Sequence, residues 1–118
     1  MYIKKLPENH DCGISIANKV VGGKWNAWLL ECVSKGIRRP TEIHQAMAEA
    51  SPRVLNMILR DLTELGILRK TIYNEQPMRV EYFLTELGES ILPLVEAMAD
   101  WGEKNRDAIL STSMSNGQ

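Results

Sequence analysis

Three polar residues, Arg53, Asn56 and Arg60, lie in a stretch that also contains evenly spaced leucines. The leucines recur at i, i+4 and i+7, so a helix would project the polar residues to the opposite side: Leu55, Leu59 and Leu62. Arginine can pair bidentately with guanine or grip a phosphate, and asparagine can bridge adenine. The spacing therefore indicates a face that could contact DNA. A helix face that is merely solvated is the alternative.

The two cysteines, Cys12 and Cys32, have no CxxC spacing, which favours neither a structural zinc site nor a disulfide framework. Asp11 is typical of a helix N-cap and would place Cys12 at the first helical position. Backbone amides and the helix dipole favour a thiolate there. Cys32 is interpreted as a small buried hydrophobe. From the residues alone, Cys12 is either a reactive thiol or a bystander.

Residue sets typical of enzymes are missing from the sequence. His10 and His44 have no ligand-like neighbours and are interpreted as surface residues. No Ser/His/Asp set, paired-carboxylate motif or phosphate-binding loop is recognisable. We therefore predict that the chain is not an enzyme and uses neither a metal nor a cofactor.

Charge is unevenly distributed along the 118 residues, although the formal net charge is only -1. The segment 35–79 holds 8 Lys/Arg and 5 Asp/Glu, whereas the rest of the chain holds 6 basic and 10 acidic residues. Because the local field is what a phosphate backbone meets, the total charge does not exclude a DNA partner. The N-terminus lacks an apolar signal region and no apolar run reaches the roughly 18 residues of a membrane span. A cytoplasmic protein is expected.

The first half of the chain is predicted to be helical. Gly22 and Gly23 end a first helix, and Gly36 ends a second whose inward stripe is Trp25, Trp28, Leu29, Cys32 and Val33. A third helix lies in 38–50. Ser51 as N-cap and Pro52 at the next position begin a fourth, which Gly66 ends. Two short helices with a tight join, the second amphipathic, are typical of a helix-turn-helix.

A hairpin is predicted directly after these helices. Its strands, Ile67 to Tyr73 and Met78 to Leu84, are joined by the turn residues NEQP. A hairpin in this position is a wing. The basic residues that flank it are expected to contact phosphates or a minor groove, unless they are ordinary exposed strand charges: Arg69, Lys70 and Arg79.

Four further residues complete the predicted DNA site. Ser51 begins the fourth helix, and Met57 either meets a thymine methyl or covers the edge of the core, which is the favoured interpretation. Arg38 and Arg39 precede the third helix and are possible contacts to the DNA backbone.

A long final helix is predicted over about 86–110, capped by Thr85, with a disordered tail at 111–118. Pro93 either kinks this helix or moves its start downstream. The small winged core cannot cover all of its apolar side, so a partner subunit is expected to do so, although packing against the second helix is the alternative. The predicted dimer interface comprises Ile14, Ala17, Val21, Leu87, Ile91, Leu94, Val95, Met98 and Trp101.

The fold class that follows is mainly α with a small β-hairpin, a single winged helix-turn-helix domain over residues 1–118. The segments 12–35 and 86–110 are helical and serve dimerisation, and 39–84 forms the helix-turn-helix and the wing.

Three stretches carry a family resemblance: GGKWNAWLLECV, SPRVLNMILRDLTELGIL and QPMRVEYFLTELGESILPLVEAMADWG. In this order, from about Cys12 to Gly102, they resemble the HxlR family of bacterial winged helix-turn-helix regulators, which are related to the MarR group. The resemblance implies a homodimer that binds a palindromic operator near the genes it controls. It also implies sensing of electrophiles or oxidants through a cysteine ahead of the first helix, and Cys12 has that position. Gly13 stands where the family usually has proline.

A second functional class is compatible with the same residues. A winged-helix module that binds protein and lacks operator recognition would also carry these elements, and the family's usual polar residues are replaced at Met57 and Ile58. Salt-dependent binding to DNA distinguishes the two classes.

Overall fold

The computed structural model describes residues 12–116, with side chains as far as Ser111. Seven helices and one hairpin follow one another in this range. They are α1 (Gly13–Val21), α2 (Asn26–Ser34), α3 (Pro40–Ala46), α4 (Pro52–Glu64), β1 (Leu68–Tyr73), β2 (Arg79–Leu84), α5 (Glu86–Ser90), α6 (Leu92–Lys104) and α7 (Arg106–Asn116). The predicted fold class, mainly helical with one hairpin in a winged helix-turn-helix, is confirmed.

The start of α1 differs from the prediction by one residue. Cys12 is the N-cap, with an extended backbone (φ -82, ψ 123), and its carbonyl accepts the Ile16 N–H at 3.0 Å. The thiol therefore lies just outside the helix instead of in its first turn. The predicted cap, Asp11, and His10 lie outside the described residues.

The core is formed where α2, α3 and α4 pack against β1. The largest fully buried side chains come from all four elements: Leu29, Leu30, Val33, Ile43, Met47, Leu55, Leu59, Leu62 and Leu68. Trp28 was predicted to point inward but is exposed, because Leu30 takes part in the buried side of α2 instead. Its ring lies 5.7 Å from that of Trp25, at the border of the core.

The boundaries of α4 agree with the predicted signals. The Ser51 hydroxyl accepts the Val54 N–H at 3.1 Å, and Pro52 begins the helix. Gly66 has φ 80, a left-handed conformation that glycine adopts without strain, and it turns the chain into β1. Because the hairpin starts at once, its position is fixed relative to α4.

The two strands pair antiparallel with Leu68 opposite Leu84 and Tyr73 opposite Arg79. Each begins one residue later than predicted. Side chains alternate between the two faces of a strand. Leu68 and Tyr82 are buried, so their face is the core face of the hairpin. Residues of odd number in both strands belong to the opposite face, which we call the outer face.

The end of the hairpin is joined to the C-terminal helices by a compact set of contacts around Thr85, here called the Thr85 clasp. The Thr85 hydroxyl donates to the Gly66 carbonyl at 2.6 Å and accepts the Gly88 N–H at 3.0 Å. The Thr85 N–H donates to the Ile67 carbonyl at 3.0 Å. A Cβ on Gly88 would lie 2.2 Å from the same Ile67 oxygen, so only glycine permits this approach. The clasp accounts for the threonine and the glycine of the TELG sequence.

The predicted long C-terminal helix is divided into α5, α6 and α7. Pro93 occupies the first turn of α6, which is the predicted downstream start. A second break falls at Asn105. Helix α7 extends to Asn116, into the segment 111–118 that is predicted to be a disordered tail, and no glycine or proline precedes Gly117 in that segment. Among residues 12–116, no helix is both long and apolar enough to cross a membrane.

Candidate nucleic-acid interface

The exposed side of α4 carries the residues that are predicted to contact DNA. Arg53, Asn56, Met57 and Arg60 are all exposed and recur at three and four residues, so they form one stripe along the helix. Met57 is 46% exposed. The neighbouring Ile58 faces the core, so the accessible part of Met57 is open to a DNA contact, and both interpretations of Met57 stay predictions. The stripe combines two cations, an amide and a thioether.

Asn56 is oriented by a residue of the preceding helix. Its Oδ1 lies 3.1 Å from Nε2 of His44, so the imidazole N–H can donate to the amide oxygen. The contact joins α3 to α4 across the tight turn. From the sequence, His44 was interpreted as a surface residue without a ligand-like partner. The contact was missed because no local sequence pattern links two residues that are 12 positions apart.

The two arginines of this stripe keep most of their donors available. Arg60 lies 3.4 Å from the Asp61 carboxylate, an exposed pair that holds the side chain weakly. Within residues 12–116, Arg53 has no ion-pair partner. Because guanidinium groups with available N–H donors bind phosphates and guanine edges, this helix face suits the surface of a DNA groove.

The predicted wing cations do not share one face. Lys70 is exposed on the core-face side of β1, whereas Arg69 and Arg79 lie on the outer face. Arg79 donates to Glu75 at 3.0 Å and to Glu81 at 2.8 Å, and it lies 3.9 Å from the ring centre of Tyr73. The bond from Arg79 lowers the pKa of the Glu75 carboxyl. Arg79 thus holds the hairpin together, and its charge is compensated.

The two arginines before α3 have different surroundings. Arg39 is exposed, and its backbone N–H donates to the Glu42 carboxylate at 3.3 Å, which caps α3. Arg38 is half-buried and lies over the ring of Phe83 on the outer face of the hairpin, as Arg69 also does. The structure therefore brings Arg38 and Arg69 together, away from the stripe on α4.

The predicted dimer interface is divided between surface and core. Val21 and Val95 are only 7% and 4% exposed, so they belong to the core of a single chain, where α1 and α6 pack on α2. The other apolar residues are exposed, or half-buried in the case of Ala17 and Ile91: Ile14, Ala17, Leu87, Ile91, Leu94, Met98 and Trp101. Ile109 and Leu110 on α7 extend this surface beyond the prediction.

The two cysteines differ in access and are both free thiols. Cys12 is partly exposed at the start of α1, and its neighbour Gly13 has open space where a side chain would be. Cys32 is 6% exposed, and burial, followed by the charge of Glu31, raises the pKa of its thiol. Cys12 is therefore the more accessible of the two.

Comparison with known proteins is consistent with this geometry. The HxlR-like helix-turn-helix family matches residues 20–109. The HTH-type transcriptional regulator YybR of Bacillus subtilis (strain 168) is 36% identical, over 94% of this chain and 88% of its own length.

Solved structures of regulators have the same fold. The redox regulator HypR in its reduced form has a TM-score of 0.80 and 35% identity, covering 85% of this chain and 99% of HypR. HypR in its oxidised form has a TM-score of 0.76 over 80% of this chain and 97% of HypR. A chain from Porphyromonas gingivalis W83, described as a MarR-family regulator, has a TM-score of 0.74 and 30% identity, covering 85% and 98% of the two chains. The chain belongs to the HxlR family of helix-turn-helix transcriptional regulators, which are DNA-binding proteins and not enzymes.

Proposed function

We propose that the protein is a homodimeric transcriptional regulator that binds a palindromic operator, with α4 of each subunit in a major groove. The observation that carries the proposal is the exposed stripe of Arg53, Asn56, Met57 and Arg60 on a helix whose other side is fixed in the core. Arginine and asparagine supply donors and an acceptor for base edges, and the exposed thioether of Met57 suits a thymine methyl. Lys70, beside this helix on β1, would contact a phosphate.

The N-terminus of α4 is suited to the DNA backbone. Ser51 is exposed, and its hydroxyl already satisfies one of the first free N–H groups of the helix. Pro52 has no N–H and Leu55 donates to the Ser51 carbonyl, so the Arg53 N–H is the donor of the first turn that remains. Together with the helix dipole, it favours a phosphate at this end. A helix that enters a groove with this end first would place Arg53 closest to the backbone and the bases.

Substitution on α4 should weaken DNA binding. We expect Arg53→Ala or Arg60→Ala to reduce affinity for the operator by about 1–3 kcal/mol if the side chain reads a base. Lys70→Ala should weaken binding to all sequences alike and reduce the salt dependence by about one unit. Affinities are measured by fluorescence anisotropy at several salt concentrations, with upstream DNA selected by a genomic pull-down.

Lys104→Ala is the charge-matched control, since Lys104 is exposed at the far end of α6. Equal affinities for the wild type and all four variants would contradict the recognition-helix assignment. Absence of any salt-dependent DNA binding would instead favour a protein-interaction module.

The apolar surface of α1 and α6 supports a two-fold dimer. A groove of about 510 Å³ between these helices is bordered by Ile14, Leu94 and Met98, and Ile14 is 74% exposed. Trp101 and Ile109 border the next groove, along α6 and α7. Monomeric proteins rarely expose a continuous apolar surface of this kind, and a second copy would cover it with the same surface. The two α4 helices would then lie about one DNA turn, roughly 34 Å, apart.

A charge introduced into this surface should prevent dimerisation. We expect the wild type to sediment as a dimer at micromolar concentration and Leu94→Arg to sediment as a monomer, because an unpaired charge at a buried seam costs several kcal/mol. Ile72→Arg is the control, since Ile72 (56% exposed) is even more accessible than Leu94 (41%) but belongs to the hairpin. A monomeric wild type would reject the dimer, and a dimeric Leu94→Arg would exclude this surface.

We further propose that Cys12 makes the regulator responsive to oxidants or electrophiles. Cys12 is accessible, whereas Cys32 is buried with a raised pKa. The redox regulator HypR, which has the same fold and 35% identity, is described in a reduced and an oxidised form. Modification of Cys12, or a disulfide to the partner subunit, would act where α1 meets the proposed seam and would change the spacing of the recognition helices.

A further inference from the structure

A second site lies on the outer face of the hairpin, where the strands meet the ends of other helices. A cavity of about 240 Å³ is bordered there by Arg38, Arg69, Phe83 and Glu89. Val33 of α2 and Leu92 of α6 form part of its wall, and no residue of α4 contributes to its lining. The cavity is therefore separate from the proposed DNA-reading surface.

Two guanidinium groups are held together in this cavity by one aromatic ring. Cζ of Arg38 lies 4.9 Å from the ring centre of Phe83, and Cζ of Arg69 lies 4.8 Å from it. Each contact is a favourable cation–π interaction. Within residues 12–116, neither guanidinium has a carboxylate at ion-pair distance, so two like charges are kept close without compensation.

Arg38 also has a buried donor without an acceptor. Its Nε is inaccessible to solvent and has no hydrogen-bond partner among the described residues. Its carbonyl accepts the Tyr82 N–H at 2.9 Å, which fixes the Arg38 backbone to β2. Because an unsatisfied buried donor costs about 1–3 kcal/mol, an acceptor supplied from outside the chain would remove this cost once the side chain turned Nε toward the cavity.

The neighbouring polar groups leave this role open. Glu81, on the same face of β2, is bound to Arg79 at 2.8 Å, and the Ser34 hydroxyl already donates to the Glu31 carbonyl at 2.7 Å. Arg69 uses one N–H for the Thr71 hydroxyl at 3.1 Å and keeps its others. Glu89 is exposed and is the one carboxylate among the lining residues described. The cavity therefore has an excess of positive charge and of donors.

We propose that this cavity binds a small oxyanion, a phosphate or carboxylate group, between the guanidinium groups of Arg38 and Arg69. Planar guanidinium groups match both kinds of oxyanion bidentately. The volume is below the roughly 300 Å³ typical of the smallest drug-sized sites, which favours an anion of few atoms. The bound anion would contact the hairpin and lie against α2, α5 and α6, so it would stabilise the joint between the wing and the C-terminal helices.

The test is thermal unfolding of the whole protein in inorganic phosphate and in chloride at equal ionic strength, with acetate as the carboxylate probe. We expect a saturable stabilisation of the wild type by phosphate. Arg38→Gln and Arg69→Gln should each lower the apparent phosphate affinity about tenfold, the loss of one charge-assisted bond. Lys104→Gln removes the same charge from exposed α6 and should keep the wild-type response.

Arg69→Lys is the variant that separates binding from folding, because it keeps the charge and removes the planar fork. We expect it to unfold like the wild type in chloride and to respond less to phosphate. Equal phosphate affinity in the wild type and Arg69→Lys, or no response of the wild type beyond that to chloride, would overturn the proposal.

The DNA backbone is another source of the same oxyanion, and a second arm of the experiment identifies it. Operator binding of Arg69→Lys and Arg69→Gln is measured in phosphate-free buffer. Weakened DNA binding together with an unchanged phosphate response would assign Arg69 to the DNA backbone and reject the cavity as a separate site. Arg53→Ala tests the recognition helix independently, so failure of either proposal can be identified.

Discussion

Gly88→Ala should destabilise the protein by about 1–3 kcal/mol, the usual cost of forcing a methyl group into a packed site. A Cβ at this position would lie 2.2 Å from the Ile67 carbonyl oxygen, which is backbone and cannot rotate away. The same oxygen accepts the Thr85 N–H at 3.0 Å, so moving it would also weaken the Thr85 clasp. Urea unfolding, followed by tryptophan fluorescence at a fixed protein concentration, measures the free energy of unfolding.

Gly102→Ala is the matched control for this substitution. Gly102 lies within α6, and a Cβ there would meet no atom within 4 Å. Since alanine favours a helix over glycine, this variant should be more stable than the wild type by about 0.5–1 kcal/mol. If both variants changed stability in the same direction and by similar amounts, the close approach at Gly88 would not be the cause.

Cys12→Ser should abolish release of the operator by an oxidant, provided the thiol senses as proposed. Diamide or a quinone would modify wild-type Cys12, because reactivity depends on access as well as on the thiolate fraction. Serine has nearly the same shape and cannot form the sulfur adduct or disulfide. Operator release is followed by anisotropy before and after treatment, and again after reduction with dithiothreitol.

Cys32→Ala provides the control for the second thiol. Burial raises the pKa of Cys32, so this variant should release the operator like the wild type. Equal release from the wild type and Cys12→Ser would remove Cys12 from the mechanism. An untreated Cys12→Ser must bind the operator normally for the comparison to be valid.

Much of the fold is predictable because local chemistry determines where its elements begin and end. Ser51 and Pro52 begin α4, because the Ser51 hydroxyl accepts a free backbone N–H and Pro52 has no N–H that needs a partner. Gly66 ends the helix, because glycine adopts the left-handed conformation there without strain. Pro93 marked the start of α6 for the same reason as Pro52. The break at Asn105 was not predicted, because asparagine is compatible with both a helix and its end.

Contacts between distant segments were not predictable from the sequence. Helical spacing identified the apolar side of α1 and α6, but it could not show that Val21 and Val95 are covered by the same chain while Leu94 is not. The same limit applies to His44 beside Asn56. No local pattern shows which side chains from three separate segments will meet, and the Arg38, Phe83 and Arg69 contacts depend on the pairing of the strands.

The Thr85 clasp has a mechanical consequence for a dimeric regulator. Hydrogen bonds of the Thr85 backbone and hydroxyl join the turn that follows α4 directly to the start of α5, so no flexible segment lies between α4 and the C-terminal helices. In the dimer proposed above, each subunit would turn as a rigid body about the subunit interface, and a small rotation there would move α4 by a larger distance. The distance between the two α4 helices would therefore be set at the proposed subunit interface.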